Sequence, residues 1–133
     1  MSAHTDRYEN AVARYFEAWN ARDPEALAKA VTAAWAVDGG YTDPLADVRG
    51  HEGIAALVAA AHAQFPGFAF RLTGGVDGHH DTARFSWELV SETGGTPSGG
   101  GSAPVAGSDV ITLDADDRIT SVLGFLDRVP AGT

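Results

Sequence analysis

Helical spacing of apolar residues dominates the first half of this chain and strand alternation the second, and that ordering limits the folds open to it. Within RYENAVARYFEAWNARD, from Arg7 to Asp23, the residues Tyr8, Val12, Tyr15, Phe16 and Trp19 mark one helical face. Polar residues fill the other face. A second helix begins at Asp23-Pro24-Glu25. Asp is a good N-cap, Pro fits the first helical position, and Glu favours the positive end of the helix. Leu27, Ala30, Val31 and Ala34 form its stripe. A third helix spans His51 to Gln64, with Ile54, Leu57, Val58, Ala61 and Phe65 inward, and stops at Pro66-Gly67.

Period two appears first between the second and third helices. Trp35, Val37, Tyr41 and Asp43 point one way, with Gly39 between them. After Gly67 it becomes the rule. Phe68, Phe70 and Leu72 alternate, GGVDGHHD (Gly74–Asp81) reads as a turn, and Ala83, Phe85, Trp87 and Leu89 alternate again. The low-complexity stretch TGGTPSGGGSAP, Thr93 to Pro104, reads as a long, flexible hairpin connection. Val105, Gly107, Asp109, Ile111 and Leu113 share the face of a further strand. DADDR is a tight turn, and Ile119 to Asp127 is the last strand. The order α-α-β-α-β-β-β-β is an α+β pattern. Its expected form is one curved antiparallel sheet wrapped around three helices from the N-terminal half, with a conical pocket between them.

Composition narrows the function. The 133 residues suit a single domain, 1–133, able to bury a core and keep an internal pocket. Nine basic residues stand against 18 acidic ones, a formal charge of −9. Such a surface repels phosphate backbones and anionic membranes, so neither nucleic acid nor membrane is an expected partner. With no cysteine, disulfides, thiol catalysis and Cys-ligated zinc are excluded. The segment MSAHTDRYEN is polar and no apolar run reaches transmembrane length, so a cytoplasmic location is expected.

Two carboxylates stand on apolar faces. Asp109 shares its face with Ile111 and Leu113. An ionised carboxylate there is costly unless paired, and no neighbouring Lys or Arg pairs it. Protonation by desolvation is the cheap solution, and a neutral Asp donates a hydrogen bond. The competing reading puts Asp109 near a strand end, hydrated or bonded to backbone. Asp43 precedes Pro44, which biases it to extended backbone on the parity of Tyr41. It reads equally as a turn residue bonding its own loop. Tyr15 lies within the aromatic stripe, where simple packing is the commoner role. Around one apolar pocket, the three would form a base, a neutral acid and a phenol. Such a set moves a proton next to a carbonyl.

ARYFEAWNARDPEAL (Ala13–Leu27), YTDP with RGHEGI (Tyr41–Ile54) and SDVITLDADDRITSV (Ser108–Val122) resemble the nuclear transport factor two-like superfamily, in its SnoaL-like and ketosteroid-isomerase-like branch. The resemblance covers nearly the whole chain. It implies a cystatin-like α+β barrel with a conical pocket, usually homodimeric. Ketosteroid isomerases use an Asp base in a strand-terminal Asp-Pro, a Tyr on the first helix and a protonated Asp on a late strand. By position these fall on Asp43, Tyr15 and Asp109. Trp19, Trp35, Phe85 and Trp87 would line the cavity, with Tyr41, Val58 and His62 as further pocket residues. Trp35 and Val58 stand where the isomerases carry supporting tyrosines, and the loop after Asp43 is shorter. SnoaL-like cyclases use an Asp acid/base for which Asp109 is the counterpart. Limonene epoxide hydrolases need an Arg where this chain has Gly107, which argues against them.

Other signals are weaker. His79-His80-Asp81 are adjacent in a turn and point apart, so no metal is expected. Asp114, Asp116 and Asp117 lack the spacing of a calcium loop. The expectation is a cofactor-independent acid/base enzyme, of isomerase or cyclase type, acting on a small hydrophobic carbonyl compound. The alternative is a non-catalytic domain that binds a hydrophobic small molecule or simply dimerises.

Overall fold

Asp23 adopts extended backbone, and its Oδ2 accepts from Ala26 N–H at 3.0 Å, so the second helix starts where its cap residue stands. A computed structural model describes residues 3–91 and 105–128. The helices are α1 (Ala3–Asn20), α2 (Pro24–Ala34) and α3 (His51–Gln64). The strands are β1 (Trp35–Asp43), β2 (Ala46–Arg49), β3 (Phe68–His79), β4 (Thr82–Ser91), β5 (Ala106–Leu113) and β6 (Ile119–Arg128). They form one sheet in the order β2-β1-β6-β5-β4-β3. The stretch Thr93–Pro104 lies outside the described residues.

The fold is α+β, with three helices packed on one face of a curved sheet. Four of its five strand pairs are antiparallel, while β1 and β6 run parallel. The sheet is therefore mixed. Its edge strands β2 and β3 do not pair, so the barrel stays open.

Three local readings differ from the sequence expectation. The two-residue turn Pro44-Leu45 returns the chain into β2, a four-residue strand with alternating burial. GGVDGHHD is mostly strand: pairing with β4 resumes at Asp77 after a register break from Thr73, and only His80-Asp81 turn. On β1, register shifts between Trp35 and Gly40, which turns Val37 out to 80% exposure.

On β5, alternation holds along its length, with Gly107, Asp109, Ile111 and Leu113 buried. Gly107 pairs with Trp87, and a Cβ there would meet the indole ring at 2.4 Å. The bare glycine lets the large ring lie across β5. An arginine at this position would displace it.

Candidate active site

The concave side of the sheet and helices α1 and α3 form a cavity of about 620 Å³. Helix α1 supplies Tyr15, Phe16 and Trp19. The end of β1 supplies Tyr41 and Asp43, and α3 supplies Leu57 and Ala61. Phe70, Trp87, Leu89 and Asp109 close the sheet side. The wall is mainly apolar. Leu57 and Ala61 are only partly buried because they face this space, whereas Ile54 and Val58 are fully buried in the core.

Tyr15, Asp43 and Asp109 meet in this cavity. Asp109 is 1% exposed. The Tyr15 hydroxyl donates to its Oδ2 at 2.5 Å. Its Oδ1 is buried and has no hydrogen-bond partner among the described residues. Asp43 has a different life. Oδ1 accepts from Leu45 N–H and Ala46 N–H, each at 2.8 Å, which makes the hairpin turn, and Oδ2 accepts from the Tyr41 hydroxyl at 2.7 Å. Both readings of the Asp-Pro therefore coexist: it builds its own turn and faces the cavity. A Cβ on Gly124 would lie 2.9 Å from Asp109 Oδ1, 3.3 Å from Asp43 Cβ and 3.5 Å from the Tyr41 hydroxyl oxygen. The two carboxyls thus flank a single bare glycine of β6.

Burial pushes the Asp109 carboxyl from 3.8 up to about 6. The Tyr15 hydrogen bond pulls it back, as does the indole of Trp87, which faces the carboxyl without closing a hydrogen bond; the charges of Asp43 and Asp127 push it up again. Asp109 is therefore poised near neutrality rather than locked in its neutral form. Burial, then the Asp109 charge, hold the Tyr15 and Tyr41 hydroxyls far above the ordinary phenol range, so both remain donors.

Not every expected lining residue reaches the cavity. Trp19, Tyr41 and Trp87 do. Trp35 and Val58 are core residues with no exposure, and Phe85 packs edge-on against Tyr15 and Phe16. Strand and helix periodicity assign these side chains to a face but not to a depth. His62 is occupied elsewhere, with Nε2 2.7 Å from the Trp19 carbonyl oxygen. The sequence reading puts Tyr41 and Asp43 on one strand face, and the hydrogen bond between them is what it misses. Phe70, Leu57 and Ala61 carry only a core signal in the sequence.

Among the described residues no cluster of three or more His, Asp or Glu side chains forms a metal site. Asp81 bonds Arg7, and Asp114 Oδ1 accepts from Asp116 N–H and Arg118 N–H. No helix among the described residues is long and apolar enough to cross a membrane.

Residues 12–122 match the SnoaL-like domain family. A candidate isomerase of the SnoaL-like family from Agrobacterium tumefaciens str. C58 is 39% identical over 92% of this chain and 98% of its own, with a TM-score of 0.81. A candidate SnoaL-like polyketide cyclase from Jannaschia sp. CCS1 shares the fold at 21% identity, covering 96% of this chain and 90% of its own, with a TM-score of 0.72. A protein with a cystatin-like fold from Nostoc punctiforme PCC 73102 does so at 14% identity, covering 98% and 97%, with a TM-score of 0.68. Among curated proteins none matches. With the match spanning most of the chain and the cavity built from its α1, β1 and β5 segments, the protein belongs to the SnoaL-like family.

Proposed function

We propose that this protein is a cofactor-independent acid/base enzyme that moves a proton next to the carbonyl of a small hydrophobic compound, in an isomerisation or ring closure. The observation that carries this reading is Asp109 Oδ1, a buried carboxylate oxygen without a partner in the wall of an apolar cavity. A buried polar atom left unpaired in a folded chain calls for an explanation, and a ligand proton is a direct one. In the same wall the indole N–H of Trp87 faces that carboxyl and the indole of Trp19 the Tyr15 hydroxyl, neither closing a hydrogen bond. A substrate oxygen is the complement of such donors.

In this reading Asp109 exchanges the proton, because its carboxyl titrates near the pH at which an acid/base group works best. Tyr15 holds it in place through Oδ2. Asp43, with the lone pairs of Oδ1 taken by its turn, is the second carboxyl and orients the substrate with Tyr41. The Agrobacterium relative, itself named a candidate isomerase, supports the isomerase reading of the reaction class.

Exchange of α-hydrogens into deuterated water, followed by NMR over a panel of hydrophobic ketones that includes a β,γ-unsaturated ketosteroid, tests it whatever the natural substrate is. Asp109→Asn is expected to lower exchange at least ~10²-fold, and Asp43→Asn less. Equal exchange by wild type and Asp109→Asn defeats the proposal. The second reading, a binder of hydrophobic small molecules, is favoured by the apolar wall and predicts ketone binding with no exchange at all. A homodimer is proposed as the working assembly, since Leu123 and Phe125 stand 49% and 57% exposed on the sheet face away from the cavity. Sedimentation of Phe125→Glu as a monomer, against a wild-type dimer, is the expected result.

A further inference from the structure

A second cavity, of about 490 Å³, lies between α1 and β3. Glu9, Val12, Ala13 and Phe16 form its helix side, and Phe70, Arg71, Leu72 and Val76 its strand side. Phe16 and Phe70 also line the active-site cavity, so both chambers have these two rings as a common wall. Both rings are only partly buried. The backbone behind Phe70 is fixed, because Asn20 Oδ1 accepts from Phe70 N–H at 2.8 Å and Asn20 Nδ2 donates to its carbonyl at 3.0 Å.

The polar atoms divide unequally. Among the described residues, the buried side-chain atoms without partners belong to Trp19, Trp35, Trp87 and Asp109, and none belongs to a residue of the outer chamber. The outer chamber offers mainly apolar contact, with Leu72 37% exposed and Glu9 and Arg71 as its charged lining residues. The β3–β4 register breaks between Thr73 and Asp77, at the Gly74-Gly75 edge of this chamber, and a Cβ on Gly75 would meet nothing within 4 Å.

We propose that the α1–β3 chamber is a subsite for the apolar tail of an elongated substrate whose carbonyl end lies at Asp109, the tail passing between Phe16 and Phe70. This rests on the acid/base reading above for the position of the head. The substrate class is then a carbonyl compound carrying a linear or flat apolar extension.

Para-alkyl acetophenones from methyl to octyl, titrated by the fluorescence of Trp19 and Trp87, test the subsite in the full chain. Wild type is expected to gain about threefold to fourfold in affinity per methylene as the tail extends into the outer chamber. Ala13→Phe enlarges a side chain in the helix wall of that chamber, at a position that does not line the active-site cavity. It is expected to bind the methyl compound as wild type does and the octyl compound at least about tenfold more weakly, with Ala13→Leu intermediate. Octyl binding unchanged in both variants, or no gain with chain length in wild type, overturns the subsite. Loss of exchange in Asp109→Asn alongside such a result leaves the acid/base reading standing. Length discrimination that survives while Asp109→Asn exchanges normally removes the head assignment instead.

Discussion

The Tyr15 hydroxyl and Asp109 Oδ2, 94 residues apart in sequence, lie 2.5 Å from one another in the wall of the cavity. That bond favours the ionised form and opposes the burial that raises the carboxyl to about 6. Tyr15→Phe removes the donor and leaves the burial. Asp109 is then expected to titrate above 6, by carboxyl-carbon NMR, with the pH dependence of any proton exchange moving the same way. A carboxyl that titrates unchanged or lower in Tyr15→Phe contradicts the assigned role of the phenol.

Asp109 also couples stability to pH. Its folded value of about 6 exceeds the ordinary 3.8, so the native chain binds this proton more tightly than the unfolded chain. Its favourable contribution is complete below the unfolded value and is lost as pH rises through about 6. The loss amounts to up to about 3 kcal/mol. Asp109→Asn cannot titrate, so its stability relative to wild type is expected to improve by up to about 3 kcal/mol between about pH 4 and about pH 8 in urea unfolding. A relative stability that does not change with pH argues against a desolvated carboxyl.

Much of this arrangement is legible in the sequence where one local rule acts alone. Asp23-Pro24 starts a helix by its own cap, and the strict alternation of β5 exposes Asp109 as a carboxylate among core residues. Where longer-range pairing decides, local patterns mislead. GGVDGHHD has turn composition, yet pairing with β4 draws it into β3 as far as His79. Val37 has strand parity with Trp35, but the register shift before Gly40 turns it outward. Phe85 and Trp87 share a face of β4, and only packing against Tyr15 and Phe16 decides that Phe85 fills the core while Trp87 meets the cavity.

Asp43 joins a structural task to a proposed functional one, and two substitutions separate them. Oδ1 satisfies the Leu45 and Ala46 N–H groups, so Asp43→Ala strips the hairpin turn of both acceptors. A cost of about 1–3 kcal/mol is expected from urea unfolding. Asp43→Asn keeps an acceptor oxygen toward the turn and is expected to stay within about 1 kcal/mol of wild type while its amide disturbs the bond from Tyr41. Equal destabilisation by both would mean that the Tyr41 contact, not the turn, carries the stability.

Arg7 ties the first helix to two hairpin turns at once. Its guanidinium donates to Asp117 Oδ1 at 2.5 Å, to the His80 carbonyl at 2.8 Å, and to Asp81 Oδ1 and the Asp114 carbonyl at 3.2 Å each. Those turns hold His80 and Asp117 at φ of 50° and 63°, a left-handed backbone that side-chain-bearing residues adopt at a cost. The planar fork satisfies acceptors on both turns together, which a single ammonium on a flexible stem does not. The Arg7 side chain is 18% exposed, so its bonds are partly shielded from water. Arg7→Ala is expected to cost about 2 kcal/mol, and Arg7→Lys to recover less than half of it. Amide exchange is expected to quicken at both turns while the protection of β5 stays within the global loss. Full rescue by lysine would show that charge alone, rather than the geometry of the fork, joins α1 to the turns at the closed end of β3–β4 and β5–β6.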